Sequence, residues 1–335
     1  MVNTITRRAR TGRRLGMAAL LLGTCVAFVL PAQASQSQSP APAQTQAAAL
    51  LLPDLREAPI GCAGGDGGNP MRCHDWDVCM VRDASAPNGD CVESGSIAAV
   101  RFRFTTAVDN AGAGPLVVVG QRAAGQSTMS VRQGFQDGVN GPIPTTYAAA
   151  QRPTAMTMYY EPAKMHEHWH LLGFEHFLLT TLNGSVIVTD RKNGFCLGDR
   201  YETSDADKLA NDVDDNGKQP QDTLSDFLEA TNCDHLQPQA TTVTEGISVG
   251  RGDDYTYDVD FQWLDITSAP SGVYDIVNTV NSDHTIRESN YDNDSSSIAI
   301  SIQWPDGATK APSVITKAPT VKLLRSCPGS AVCTP

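Results

Sequence analysis

Apolar and polar positions alternate along much of this chain, and the alternation marks strands. In AAVRFRFTTAV (98–108), Val100, Phe102 and Phe104 share one side with arginines between them. VYDIVNTV (273–280) and SIAISIQW (297–304) behave alike. PLVVVG (115–120) and SVIVTD (185–190) are short β-branched runs bounded by Gly, Asn or Asp. Helical periodicity is sparse, and TLSDFLEA (223–230) is its best stretch, about two turns long. Turn residues separate the runs throughout. The pattern predicts a mainly β protein, a β-sandwich-type single domain with long loops and few short helices.

The ends of the 335-residue chain are different. Five arginines precede the apolar run LGMAALLLGTCVAFVL, and PAQA follows, so residues 1–34 read as a signal peptide for secretion, by a general or a twin-arginine route. The run is short for a membrane span, and no transmembrane anchor is expected. SQSQSPAPAQTQAAA reads as a flexible linker, placed at 35–50. A single domain is expected over 51–305, and a Pro- and Ala-rich C-terminal tail with a small disulfide loop over 306–335. Loss of five arginines and no acid would take the formal charge from −12 to −17. Such a chain repels nucleic acid and attracts cations, whether metal ions or amines. Eight cysteines remain after residue 34, an even number in an exported chain, so disulfides are expected. The expected pairs are Cys196–Cys233 and Cys327–Cys333, with Cys62, Cys73, Cys79 and Cys91 paired among themselves.

The densest chemistry lies in MHEHWHLLGFEH (165–176), which holds four of the seven histidines. His166, His168 and His170 are spaced by two, so an extended segment presents three imidazoles on one face. Three neutral imidazoles with room for water or substrate form a metal site. Imidazole suits zinc, copper, iron and nickel, and raw affinity favours Cu(II). H168-x-H170-x4-E175 also resembles half of a cupin site, in which Glu175 would complete an iron centre.

Further along stand DRKNGFCLGD (190–199), GISVGRGDDYTYDVDFQWLDIT (246–267) and IRESNYDND (286–294). Together with HEHWH, and in this order, they resemble the catalytic domain of the lysyl oxidase family, copper-dependent amine oxidases that carry a lysine tyrosylquinone. The resemblance runs from about residue 51 to about 302. It implies that His166, His168 and His170 bind copper, and that Lys192 and Tyr255 are joined to form the quinone. Tyr257, two residues on, is the alternative tyrosine. Cys196 and Cys233 match positions that the family joins. His176 matches a further family histidine across a one-residue gap. The implied activity is oxidative deamination of primary amines, peptidyl lysine among them, to aldehydes, with O2 reduced to hydrogen peroxide and ammonia released. Asp253, Asp254, Asp258 and His176 are the candidate proton acceptors, and the acids would also attract a cationic amine.

E288-S-N-Y-D-N-D294 resembles the family's calcium-binding segment, which works with an Asp-Leu pair near the domain's start. The implied calcium ligands are Asp54, the Leu55 carbonyl, Glu288, Asn290, Asn293 and Asp294, a set of suitable size for this ion. NDVDDNG (211–217) offers Asp212, Asp214, Asn216 and Gly217 in the order of an EF-hand start, without the closing Glu, and reads as a solvated acidic loop. The cysteine count, GCAGGDGGNP near the N-terminus and the style of the signal peptide suggest a microbial branch. The competing function is a non-catalytic extracellular copper-binding protein, which needs the three histidines but neither Lys192 nor Tyr255.

Overall fold

The computed structural model describes residues 49–164, 166–189, 194–214 and 217–335. The expected signal peptide and most of the linker lie outside these residues, as do Lys192 and Asn216. In chain order the strands are β1 (Leu50–Leu51), β2 (Leu55–Glu57), β3 (Trp76–Val81), β4 (Ala99–Phe104), β5 (Thr106–Asn110), β6 (Leu116–Gln121), β7 (Thr128–Gly134), β8 (Gln136–Asp137), β9 (Arg152–Glu161) and β10 (His168–Leu171). They continue as β11 (Glu175–Thr181), β12 (Val186–Thr189), β13 (Tyr201–Glu202), β14 (Thr242–Ile247), β15 (Arg251–Tyr255), β16 (Trp263–Asp265), β17 (Gly272–Val280), β18 (Ser295–Gln303) and β19 (Thr320–Pro328). The single α-helix among the described residues, α1 (Pro220–Ala230), covers the stretch expected to be helical. Proline fits its first turn, where no backbone donor is needed, and Asp222 accepts from the Gln219 backbone N–H at 2.8 Å.

The strands pair antiparallel. Two sheets have five strands, in the orders β12-β11-β17-β18-β19 and β10-β9-β7-β6-β14. A four-stranded sheet runs β13-β15-β5-β2, a three-stranded one β16-β4-β3, and β1 pairs with β8. The four larger sheets share one core, with Phe102, Val108, Val118 and Phe177 drawn from each in turn. Phe104 packs edge-on against Phe177 at 5.1 Å, an arrangement favoured by the ring quadrupoles. The buried Trp304 satisfies its indole N–H on the Ala269 carbonyl at 2.7 Å.

In β4 the apolar side is as the alternation predicts, but the arginine side is buried as well. Arg101, 1% exposed, donates to the Ala86 and Asn88 carbonyls, and its guanidinium lies 3.9 Å from the Trp263 ring centre. Arg103 pairs with Asp77. A strand pattern shows which face is apolar; it does not show that a loop will fold over the other.

Four disulfides join the described cysteines: Cys62–Cys73, Cys79–Cys91 and Cys327–Cys333 link near neighbours in sequence, and Cys196–Cys233 spans 37 positions. Within the segment expected as a tail, Thr320–Pro328 forms β19 against β18. Among the described residues no helix is long and apolar enough to cross a membrane.

Candidate metal centre and cleft

The three histidines do not come from one extended segment. His166 and Glu167 both donate their backbone N–H to the Ala163 carbonyl, and Glu167 is left-handed at φ 48°. Only His168 and His170 lie on β10, opposite Glu161 and Tyr159 of β9. A non-glycine residue with positive φ is uncommon, and here it swings His166 back over the strand. The outcome is convergence by a different route. His166 offers Nδ1, 3.1 Å from His170 Nε2, which is 2.8 Å from His168 Nε2. Metal–nitrogen bonds of about 2.0 Å place neighbouring donors roughly 2.8–3.3 Å apart. These two separations match, and all three donor atoms lie within 4.8 Å of one another, a group that could hold a metal ion. His170 is 2% exposed and His166 7%, with His168 half-buried at the open side.

His166 and His168 line a cleft of about 590 Å³ that Tyr255 also lines. Tyr255 ends β15, with its ring edge-on to Phe195 at 4.8 Å. Its hydroxyl accepts from the Cys196 N–H at 2.6 Å and donates to the Cys196 carbonyl at 2.8 Å. Burial pushes the phenol well above its usual range, with Asp253 and Glu245 adding, so the side chain is a neutral donor. Asp253, two residues earlier, also faces the cleft. Burial raises its carboxyl well above the usual range, against the pull of Arg200, whose Nε stands 3.6 Å away. Asp254 accepts from the Gly64 N–H at 2.9 Å, Asp258 accepts from the Thr256 hydroxyl at 2.7 Å, and both line the cleft.

Three expectations change. His176 lies exposed on β11, opposite Thr279, and does not line the cleft. Strand parity explains this, because Glu175 and Phe177 on either side point inward. Glu175 is buried on that inner side, where it accepts from Asn278 at 2.8 Å, and the histidine metal set does not include it. The cupin-like alternative therefore loses its third ligand. Tyr257 is turned towards Arg103, with the guanidinium 5.3 Å from its ring, and is absent from the cleft lining that holds Tyr255. Lys192 lies outside the described residues. Just beyond it, Phe195 is bonded in both directions to Leu171, the residue after His170.

Sequence reasoning missed Arg200, His235 and Asp260, all lining the cleft. His235 sits 6.5 Å from His168 between ring centres. Its loop is stitched to the histidine segment, with Trp169 donating to the Cys233 carbonyl and Leu236 donating to that of Glu167. The disulfide at Cys233 was the available signal, since it ties this loop to Cys196.

The acidic segment expected to bind calcium folds against the start of β2. Leu55 N–H donates to Glu288 Oε2 at 2.7 Å, Asn293 donates to Asp54 Oδ1 at 2.9 Å, and Asn290 donates to Asn293 at 2.9 Å. Both carboxylate oxygens of the buried Asp294 have no hydrogen-bond partner among the described residues. Burial first, then neighbouring acids, raise Glu288 to about 8 and Asp294 to about 7. Crowded, buried, unneutralised carboxylates fit a hard cation held by oxygen. Of the EF-hand-like loop, Asp214 donates its N–H to Asp222 at 3.0 Å.

Residues 222–309 match the family described as Lysyl oxidase. Lysyl oxidase homolog 2 of Gallus gallus is 31% identical over 129 residues, covering 38% of this chain and 13% of that protein. Lysyl oxidase homolog 4 of Mus musculus is 31% identical over 129 residues, covering 38% and 14%, and that of Homo sapiens is 30% identical over the same length and shares. The chain thus spans about one seventh of the length of these curated relatives.

Proposed function

This chain belongs to the lysyl oxidase family, and on that premise we propose that it is a secreted amine oxidase that depends on copper and on a quinone formed from Lys192 and Tyr255. Its catalytic domain spans 51–305. The observation that carries the reading is the shared cleft, which is lined by Tyr255 and by two of the three convergent imidazoles, His166 and His168. Copper and the quinone supply the redox chemistry by which a primary ammonium ion, O2 and water become an aldehyde, hydrogen peroxide and an ammonium ion.

The chain's own residues prepare that reaction. His166, His168 and His170 hold the metal. The Cys196 peptide grips the Tyr255 oxygen from both sides and fixes the ring against Phe195. Asp253, buried beside it with a raised affinity for protons, is placed to accept one from a substrate carbon in the cleft. Asp254 and Asp258 at the cleft favour a cationic amine over an anion. The deciding experiment is peptide mass spectrometry on copper-loaded, aerated protein. The reading expects the Lys192 peptide covalently joined to the Tyr255 peptide; two unmodified peptides would leave a copper-binding protein without this chemistry.

Calcium at Asp54, the Leu55 carbonyl, Glu288, Asn290, Asn293 and Asp294 is proposed as structural. In the calcium-free protein Glu288 and Asp294 bind protons that the unfolded chain releases at ordinary carboxylate values. Native protons then exceed unfolded ones between about pH 4 and about pH 8, so stability falls as pH rises through that window. Thermal unfolding in chelator should show this decline. Added calcium should raise the melting temperature, most of all above about pH 8, where few protons must be displaced. Identical curves with and without calcium would remove the site.

A further inference from the structure

We propose that Asp260 is a positioning residue of the metal centre, which holds His166 in the ring orientation and tautomer that expose its Nδ1 to the metal. The inference rests on the copper reading above and concerns a residue outside the ligand set. His168 and His170 converge through Nε2, whereas His166 converges through Nδ1. An imidazole that gives a lone pair from Nδ1 must carry its proton on Nε2, and a metal-bound histidine usually passes that N–H to a carboxylate or carbonyl. His166 Nε2 faces Asp260 Oδ2 at 3.4 Å, and both side chains are more than nine-tenths buried.

Two unusual backbone conformations frame this pair. Glu167, left-handed, turns His166 out of the strand. Phe261, at φ 60°, is left-handed immediately after Asp260, a rare state for an aromatic residue. That conformation is fixed from outside, as Phe261 N–H and Trp263 Nε1–H both donate to the Pro87 carbonyl, at 3.1 and 2.8 Å. On the other flank, Gln262 bonds the Thr106 hydroxyl at 2.9 Å. The turn from 256 to 262 therefore delivers a carboxylate to the His166 ring nitrogen that lies away from the converging donors. With Tyr255 five residues earlier on the same segment, the link also ties the metal's position to that of the tyrosine.

The test is copper binding, read by competition titration and by Cu(II) electron paramagnetic resonance, on wild type, Asp260→Asn and Asp260→Glu. Asp260→Asn should lower copper affinity roughly 10- to 100-fold, the range expected when such an outer partner is lost, and should change the copper hyperfine pattern. Asp260→Glu, which keeps the charge, should recover much of both. A residue that merely supported the fold would lower the melting temperature of the metal-free protein and leave the spectrum of the bound copper unchanged. Wild-type affinity and spectrum in Asp260→Asn would overturn the inference and leave the copper reading standing. Should that variant fail to fold, Asp260→Ser is read in the same way. A wild type that binds no copper would overturn the copper reading itself, and this inference with it.

Discussion

Tyr255→Phe should abolish amine-dependent hydrogen peroxide release, at least about a thousandfold, while copper still binds. The substitution removes the phenol oxygen, without which the ring cannot be oxidised to a quinone, and leaves the ring packed on Phe195. It also removes the partner of the Cys196 N–H and carbonyl. Two lost hydrogen bonds of about 1 kcal/mol each, in a half-buried position, predict a modest loss of stability and a folded protein. Peroxide assay, copper content and mass spectrometry of the Lys192 peptide should be read on the same sample. Lys192→Ala should give the same silence. An active Tyr255→Phe with a normal copper content would rule out the proposed chemistry.

Removing the Cys196–Cys233 disulfide should have the largest structural effect at the site. It closes a loop 37 residues in sequence separation, for which chain-entropy estimates give about 4 kcal/mol. More than the loop depends on it. Cys196 grips Tyr255, while the Cys233 carbonyl accepts from Trp169, which lies between His168 and His170. Paired substitution to alanine should therefore lower the melting temperature and weaken copper binding together. Chemical unfolding and copper titration of the double variant check both. Unchanged copper affinity in a destabilised protein would show that the histidine segment stands without this tie.

Local pattern accounts for much of what the chain becomes. The strand at 99–104, the helix near 223–230 and the C-terminal disulfide loop were legible because each depends on neighbours in sequence. So was the convergence of three histidines, although the path to it was not. Period-two spacing predicts three rings on one face, and nothing local says that Glu167 will leave the strand. His176 was misplaced because family position outweighed strand parity, which alone puts it outward between Glu175 and Phe177. Asp260, Arg200 and His235 were invisible for another reason. Each reaches the cleft from a turn or loop whose course is fixed by distant partners, such as the Pro87 carbonyl beneath Phe261. Arg101 and Arg103 make the same point, since burial of a charged face depends on loops that no strand pattern encodes.

The contact between Leu55 and Glu288 spans 233 positions. The second strand of the domain thus waits for a segment close to its end, and β2 cannot reach its final state while the chain is still emerging. Closure of so long a separation is slow, and until it happens the early strands keep open edges. A chain of this design would benefit from a holding chaperone until that late contact closes.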